Sequence, residues 1–131
     1  MKIILVGKSG SGKDYIRKRL VDKYGYNNVI TTTTRPKREG ETEGDEYEFV
    51  SENGFKWLIE QGAMIEYRTY DTVFGRWYYG IREQKIEENA VVICTPDNVG
   101  KIKEWMGGVV VLPIQMKDNQ HLLDCIHYTT L

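Results

Sequence analysis

The chain has 131 residues, 40% of them hydrophobic, which is enough for one domain with a real core and too few for two ordinary ones. Lys and Arg (18) nearly balance Asp and Glu (19), so overall charge makes no case for nucleic acid or a membrane surface as a partner. Cys94 and Cys125 form neither a CxxC pair nor a secretory framework, and no apolar run approaches the ~18 residues of a membrane span; the expectation is a cytoplasmic protein with reduced cysteines.

In chain order, the continuous apolar run 3–6 predicts a strand buried on both faces, as in a parallel sheet, stopped by Gly7. Beyond Gly12 the period changes: Ile16, Leu20, Val21 and Tyr24 fall on one helical face, and Gly25 ends the pattern. The β-branched stretch NVITTTT (28–34) predicts a second strand, and the charged, glycine-containing RPKREGETEGDE (35–46) a loop. YEFV (47–50) alternates as a short strand, Ser51 caps a helix running to Gly62, and AMIEYRTY (63–70) pairs with RWYYG (76–80) around DTVFG. REQKIEENA (82–90) suggests a short helix, AVVICT (90–95) a buried strand, DNVGKIKEWM (97–106) a helix, GVVVLPIQM (108–116) another buried strand, and DNQHLLDCI (118–126) a closing helix. The expected fold class is α/β: a parallel sheet flanked by helices, made of 1–34 and 81–131, with a small mixed β-rich insertion over 35–80.

Two stretches carry chemistry. Gly7, Lys8, Ser9, Gly10, Ser11, Gly12 and Lys13 fit G-x-x-x-x-G-K between a buried strand and an amphipathic helix. Glycines there let backbone N–H groups turn inward as an anion nest, the helix N-terminus favours negative charge, and the lysine supplies a mobile cation, so the loop suits ATP. Asp14 stands where Ser or Thr is usual after the lysine; its carboxylate is a hard-oxygen ligand for Mg²⁺, and equally a negative charge that weakens polyphosphate binding without the metal. In the second stretch Arg35, Lys37 and Arg38 concentrate positive charge beside glycines, with Tyr47 nine residues beyond Arg38. Arginine forks and a tyrosine hydroxyl suit a phosphate monoester; the same composition also fits a solvated charged loop.

The whole string from 31 to 51, TTRP followed by R-x-G-E, a glycine and Y-x-F-V-S, resembles the nucleotide-monophosphate region of guanylate kinases. Together with the phosphate loop, the similarity reaches to about Gly100. It implies a P-loop kinase that transfers a phosphoryl group from ATP to GMP with Mg²⁺, giving ADP and GDP. By that resemblance Arg35 and Arg38 grip the GMP phosphate, Tyr47 and Tyr79 add phosphate-side hydroxyls, and Glu66 reads guanine. Thr31 keeps a hydroxyl at a family serine position, and Asp97 resembles the acid after the third core strand. Lys13, Arg35 and Arg38 are then the catalytic set, residues 7–14 the ATP loop and Asp14 the metal ligand.

Four departures accompany the resemblance. Ile81 stands where the family has a Ser or Thr after YYG, the hairpin around DTVFGRW is longer, Asp14 replaces a hydroxyl, and no arginine follows Arg82, where the family continues into an arginine-bearing lid and a further strand. The alternatives are a guanylate-kinase-like domain that binds a nucleotide or a partner with weak or no turnover, and a P-loop kinase for another acceptor. A sheet ending at its fourth strand leaves an open edge, and homo-oligomerisation along 109–116 is the expected consequence.

Overall fold

The computed structural model describes residues 1–7 and 12–114. The elements in chain order are β1 (Lys2–Val6), α1 (Lys13–Tyr24), β2 (Asn27–Asn28), β3 (Thr31–Thr33), β4 (Tyr47–Phe49), α2 (Glu52–Glu60), β5 (Met64–Thr72), β6 (Gly75–Arg82), β7 (Ala90–Cys94), a 3₁₀ turn (Pro96–Asn98), α3 (Val99–Met106) and β8 (Val110–Pro113). They fall into two compact units, one built from Met1–Asn28 and the segment beginning at Ile86, the other from Val29–Lys85.

The first unit is a parallel sheet in the order β2-β7-β1-β8. Its central strands have no polar face: Ile3, Ile4 and Leu5, and Val91 and Val92, are buried on both sides, which a parallel sheet covered by helices requires. Helix α1 follows Gly12, whose φ of 95° is a left-handed conformation that only glycine adopts without strain, and it ends at Gly25 in the same conformation. Its Ile16 and Leu20, one turn apart, pack with Ile3, Leu5, Tyr26, Val91 and Ile114 in one core. Helix α3 turns Ile102 and Met106 inward in the same way.

The second unit is a four-stranded sheet in the order β4-β3-β6-β5, with β3 and β4 parallel and the other pairs antiparallel. Helix α2 starts where Ser51 Oγ accepts the Gly54 N–H at 3.0 Å. Its fully buried Phe55 packs edge-on and tilted against Tyr67 and Tyr78, at 6.2 and 5.2 Å between ring centroids. Alternation along each strand therefore sends Tyr67 and Tyr78 to the helix side and their neighbours to the other side.

An α/β fold with a parallel sheet and a mixed sheet is the expected class, but three elements differ from the sequence reading. NVITTTT is not one strand: Asn27–Asn28 pair with β7 in the first unit, while Thr31–Thr33 pair with β4 and β6 in the second. REQKIEENA forms no helix. The Gln84 side chain accepts from Ile30 N–H and donates to Ile30 O, both at 3.0 Å, and Glu83 N–H bonds Ala63 O, so these groups are bound to distant segments and not to a helical turn of their own. These bonds also explain why the second unit runs from 29 to 85, beyond both ends of the 35–80 stretch. The strand expected over 108–116 pairs over Val110–Pro113; positions 115 and 116 and the closing helix of 118–126 lie outside the described residues. Among the described residues, no helix is long and apolar enough to cross a membrane.

Candidate functional site

Strand register decides which side chains share the sheet face opposite α2. Thr31 pairs Tyr47 and Thr33 pairs Phe49; Thr33 also faces Tyr79; and Arg68 pairs Tyr79, Glu66 pairs Ile81 and Tyr70 pairs Trp77. Directly paired residues lie on the same side. Thr31, Tyr47, Glu66 and Tyr79, chosen from four separate stretches of sequence, therefore occupy one face.

The same face is aromatic and basic. Arg35, 4% exposed, stacks its guanidinium over Tyr47 and Phe49 at 5.0 and 5.6 Å from their centroids. Its Nη1 and Nη2 donate to the two Glu41 oxygens at 2.9 Å each, the parallel fork that a guanidinium makes with a planar oxyanion. Glu41 also accepts the Arg38 backbone N–H at 2.6 Å. The Arg35 hydrogen bond, then that N–H, draw the Glu41 carboxyl down from 4.5 to about 2. In return Glu41 holds the Arg35 charge more firmly, against the burial that opposes it. Arg38 itself is exposed, three residues from Arg35 on the same loop.

Tyr79 is the centre of the face, with Tyr47 and Tyr70 edge-on at 6.5 and 5.6 Å and the Arg68 guanidinium over its ring at 5.9 Å. Glu66, with its side chain 1% exposed, accepts from Arg68 Nη1 at 3.0 and 3.3 Å. Gly80 explains how Glu66 comes so close: a Cβ there would lie 2.6 Å from Glu66 O and 2.8 Å from Tyr67 Cβ, so no larger residue permits this approach of β5 to β6. A β-bulge between Met64 and Glu66 re-aims the carboxylate at the same place. Ile81 is buried opposite Glu66 and brings no hydroxyl.

The remaining candidates belong to the first unit. Lys13 opens α1 and its Nζ donates to Gly7 O at 2.5 Å, bridging the two ends of the glycine-rich turn; Lys8, Ser9, Gly10 and Ser11 lie outside the described residues. Asp14 sits in the first turn of α1 with its carboxylate 83% exposed and Arg17 Nε 3.7 Å away. Asp97 is exposed in the 3₁₀ turn that follows β7. Among the described residues, Arg38 meets the second-unit site through its backbone N–H, on Glu41.

Reading the sequence missed three members of the face: Glu41, Arg68 and Tyr70. Glu41 closes the R-x-G-E string already noted, and an acid spaced for a loop return beside two arginines was a legible signal. Arg68 and Tyr70 follow Glu66 at two-residue steps on a strand, which places all three on one side.

The described geometry can be set beside known proteins. The family model described as guanylate kinase matches residues 1–130. The guanylate kinase of Helicobacter hepaticus (strain ATCC 51449 / 3B1) is 36% identical over 110 residues, covering 80% of this chain and 54% of that protein. That of Sulfurimonas denitrificans (strain ATCC 33889 / DSM 1251) is 45% identical over 79 residues, 60% of this chain and 36% of the relative. A crystal structure of guanylate kinase from Anaplasma phagocytophilum superposes with a TM-score of 0.68 at 20% identity, over 99% of this chain and 84% of that one, a likeness of fold. The chain thus spans about half the length of the first of these relatives. With a family match running nearly end to end over a phosphate-loop sheet and a tyrosine-lined mixed sheet, the chain belongs to the guanylate kinase family.

Proposed function

We propose that the chain binds ATP at its glycine-rich turn and GMP on the open face of the second sheet, and transfers the γ-phosphoryl group to GMP, giving ADP and GDP. The observation that carries this reading is the convergence of Thr31, Arg35, Tyr47, Glu66 and Tyr79 on one sheet face. An arginine already held in fork geometry over a tyrosine ring suits a phosphate dianion. An ionised glutamate suits the N1–H and 2-amino donors of guanine, which adenine lacks in that arrangement.

The chemistry is positioning and charge compensation, with the GMP phosphate oxygen attacking in line and no covalent enzyme intermediate. Lys13 bears on the terminal phosphates, residues 7–12 cradle the β-phosphate, and Arg35, Arg38, Tyr47 and Tyr79 orient the acceptor. Asp97 is assigned to the GMP side by family resemblance. The exposed Asp14 carboxylate fits a magnesium ion, which takes one or two protein carboxylates with nucleotide phosphates. Bound with ATP, that ion neutralises charge on the phosphates.

Binding of both nucleotides without turnover is the outcome that would overturn this reading. ³¹P NMR of the folded protein with ATP, Mg²⁺ and either GMP or AMP is the test. ADP and GDP signals growing with GMP alone establish the kinase; unchanged ATP and GMP reject turnover by this chain.

A further inference from the structure

Arg68 is a charged residue of the open face to which the proposed reaction assigns no role. Its side chain is 25% exposed and held at three points: Nη1 on both Glu66 oxygens at 3.0 and 3.3 Å, Nε on the Tyr70 hydroxyl at 3.0 Å, and the guanidinium plane over Tyr79 at 5.9 Å. The Glu66 side chain beneath it is 1% exposed.

A carboxyl buried that deeply is stable as an anion only when a cation or several donors face it; otherwise it takes up a proton. The two protonation states present different patterns to a purine. The carboxylate offers acceptors alone, which match the adjacent N1–H and 2-amino donors of guanine. The neutral acid offers one O–H donor and one acceptor, which match N1 and the 6-amino group of adenine. The charge state of Glu66 therefore selects the base.

We propose that Arg68 is a specificity-determining positioning residue, which by its ion pair keeps Glu66 an all-acceptor carboxylate and so makes the site take 6-oxo-2-amino purine nucleotides and refuse 6-amino ones. The inference rests on the acceptor-site reading of this face. Arg68 Nη1 spans the two oxygens that guanine would use, so base binding exchanges one donor set for another, while the Tyr70 hydroxyl and Tyr79 ring keep the guanidinium beside the carboxylate.

The test is the ratio of GMP to AMP affinity, by calorimetry, in the wild-type chain and in Arg68→Met, Arg68→Gln and Arg68→Lys. The ratio is expected to fall by about tenfold or more in Met and Gln, which remove the charge, and to be largely kept in Lys, which retains it; tenfold corresponds to about 1.4 kcal/mol. ¹³C NMR of glutamate-labelled protein, with the Glu66 carboxyl assigned by its loss in Glu66→Gln, is expected to show an ionised group in wild type and Lys and a protonated one in Met or Gln at neutral pH. Gln serves where Met does not fold. A GMP to AMP ratio within twofold of wild type in either folded, uncharged variant overturns the role of Arg68 while leaving the acceptor site standing. Failure of the folded wild-type chain to bind GMP at all overturns the acceptor-site reading and this inference with it.

Discussion

Arg35 and Glu41 meet as fork and carboxylate through two 2.9 Å hydrogen bonds, with the guanidinium buried against Tyr47 and Phe49. Because the Glu41 carboxyl is lowered to about 2 from 4.5, the folded chain binds fewer protons than the unfolded chain between those values. Its contribution to stability is complete above 4.5 and is lost as pH falls through about 2. Glu41→Gln is therefore expected to be less stable than wild type at neutral pH, with the gap narrowing as pH falls across that window. Urea unfolding at several pH values checks it; a gap independent of pH would show that the pair contributes no linked stability.

Gly80→Ala is expected to destabilise the second unit, because the added methyl meets the Glu66 carbonyl oxygen and Tyr67 Cβ at 2.6 and 2.8 Å. Overpacking of this kind costs about 1–3 kcal/mol. Since relief requires β5 to move from β6, GMP affinity should fall with stability. Chemical denaturation and GMP titration on the same sample read both effects.

Ser51→Ala supplies a contrast on the covered side of the same sheet. It removes the acceptor for Gly54 N–H at the start of α2 and is expected to cost about 1 kcal/mol of stability. The GMP to AMP preference should stay as in wild type. A changed preference would mean that α2 takes part in base choice.

Lys13→Met tests the phosphate loop apart from the acceptor face. If Lys13 stabilises the transferring charge, turnover should fall by about 10²–10³, the usual cost of one transition-state donor, while GMP affinity is unchanged. Asp14→Asn should leave both sites folded and raise the Mg²⁺ concentration needed for activity. Coupled-assay kinetics across a magnesium series distinguish the two variants.

Strand β8 ends the first sheet among the described residues, with Val110 and Val111 40% and 36% exposed. An apolar edge of this kind pairs with a second copy unless it is covered, although Pro113 removes one donor. We propose reversible self-association along β8, abolished by Val111→Lys. Sedimentation velocity that stays monomeric up to high micromolar concentration would refute it.

Where chemistry is local, the sequence by itself determined much of this protein. The buried strands of the first sheet, the left-handed glycines around α1, the Ser51 cap and the motif order that marks the family all follow from hydrophobic period and backbone conformation within a few residues. Tertiary structure decided what depends on partners. NVITTTT has the composition of one strand, yet Asn27–Asn28 and Thr31–Thr33 join different sheets, because distant neighbours, Ala90 and Val91 for the first and Tyr79 and Gly80 for the second, supply their pairing. REQKIEENA looks helical until the Gln84 side chain closes on Ile30. The largest change is in charge: Arg35 and Glu66 read in the sequence as groups waiting for a ligand, and only folding shows them buried and engaged by Glu41 and Arg68. Burial and opposed charge are properties of packed neighbours, and no spacing along the chain contains them.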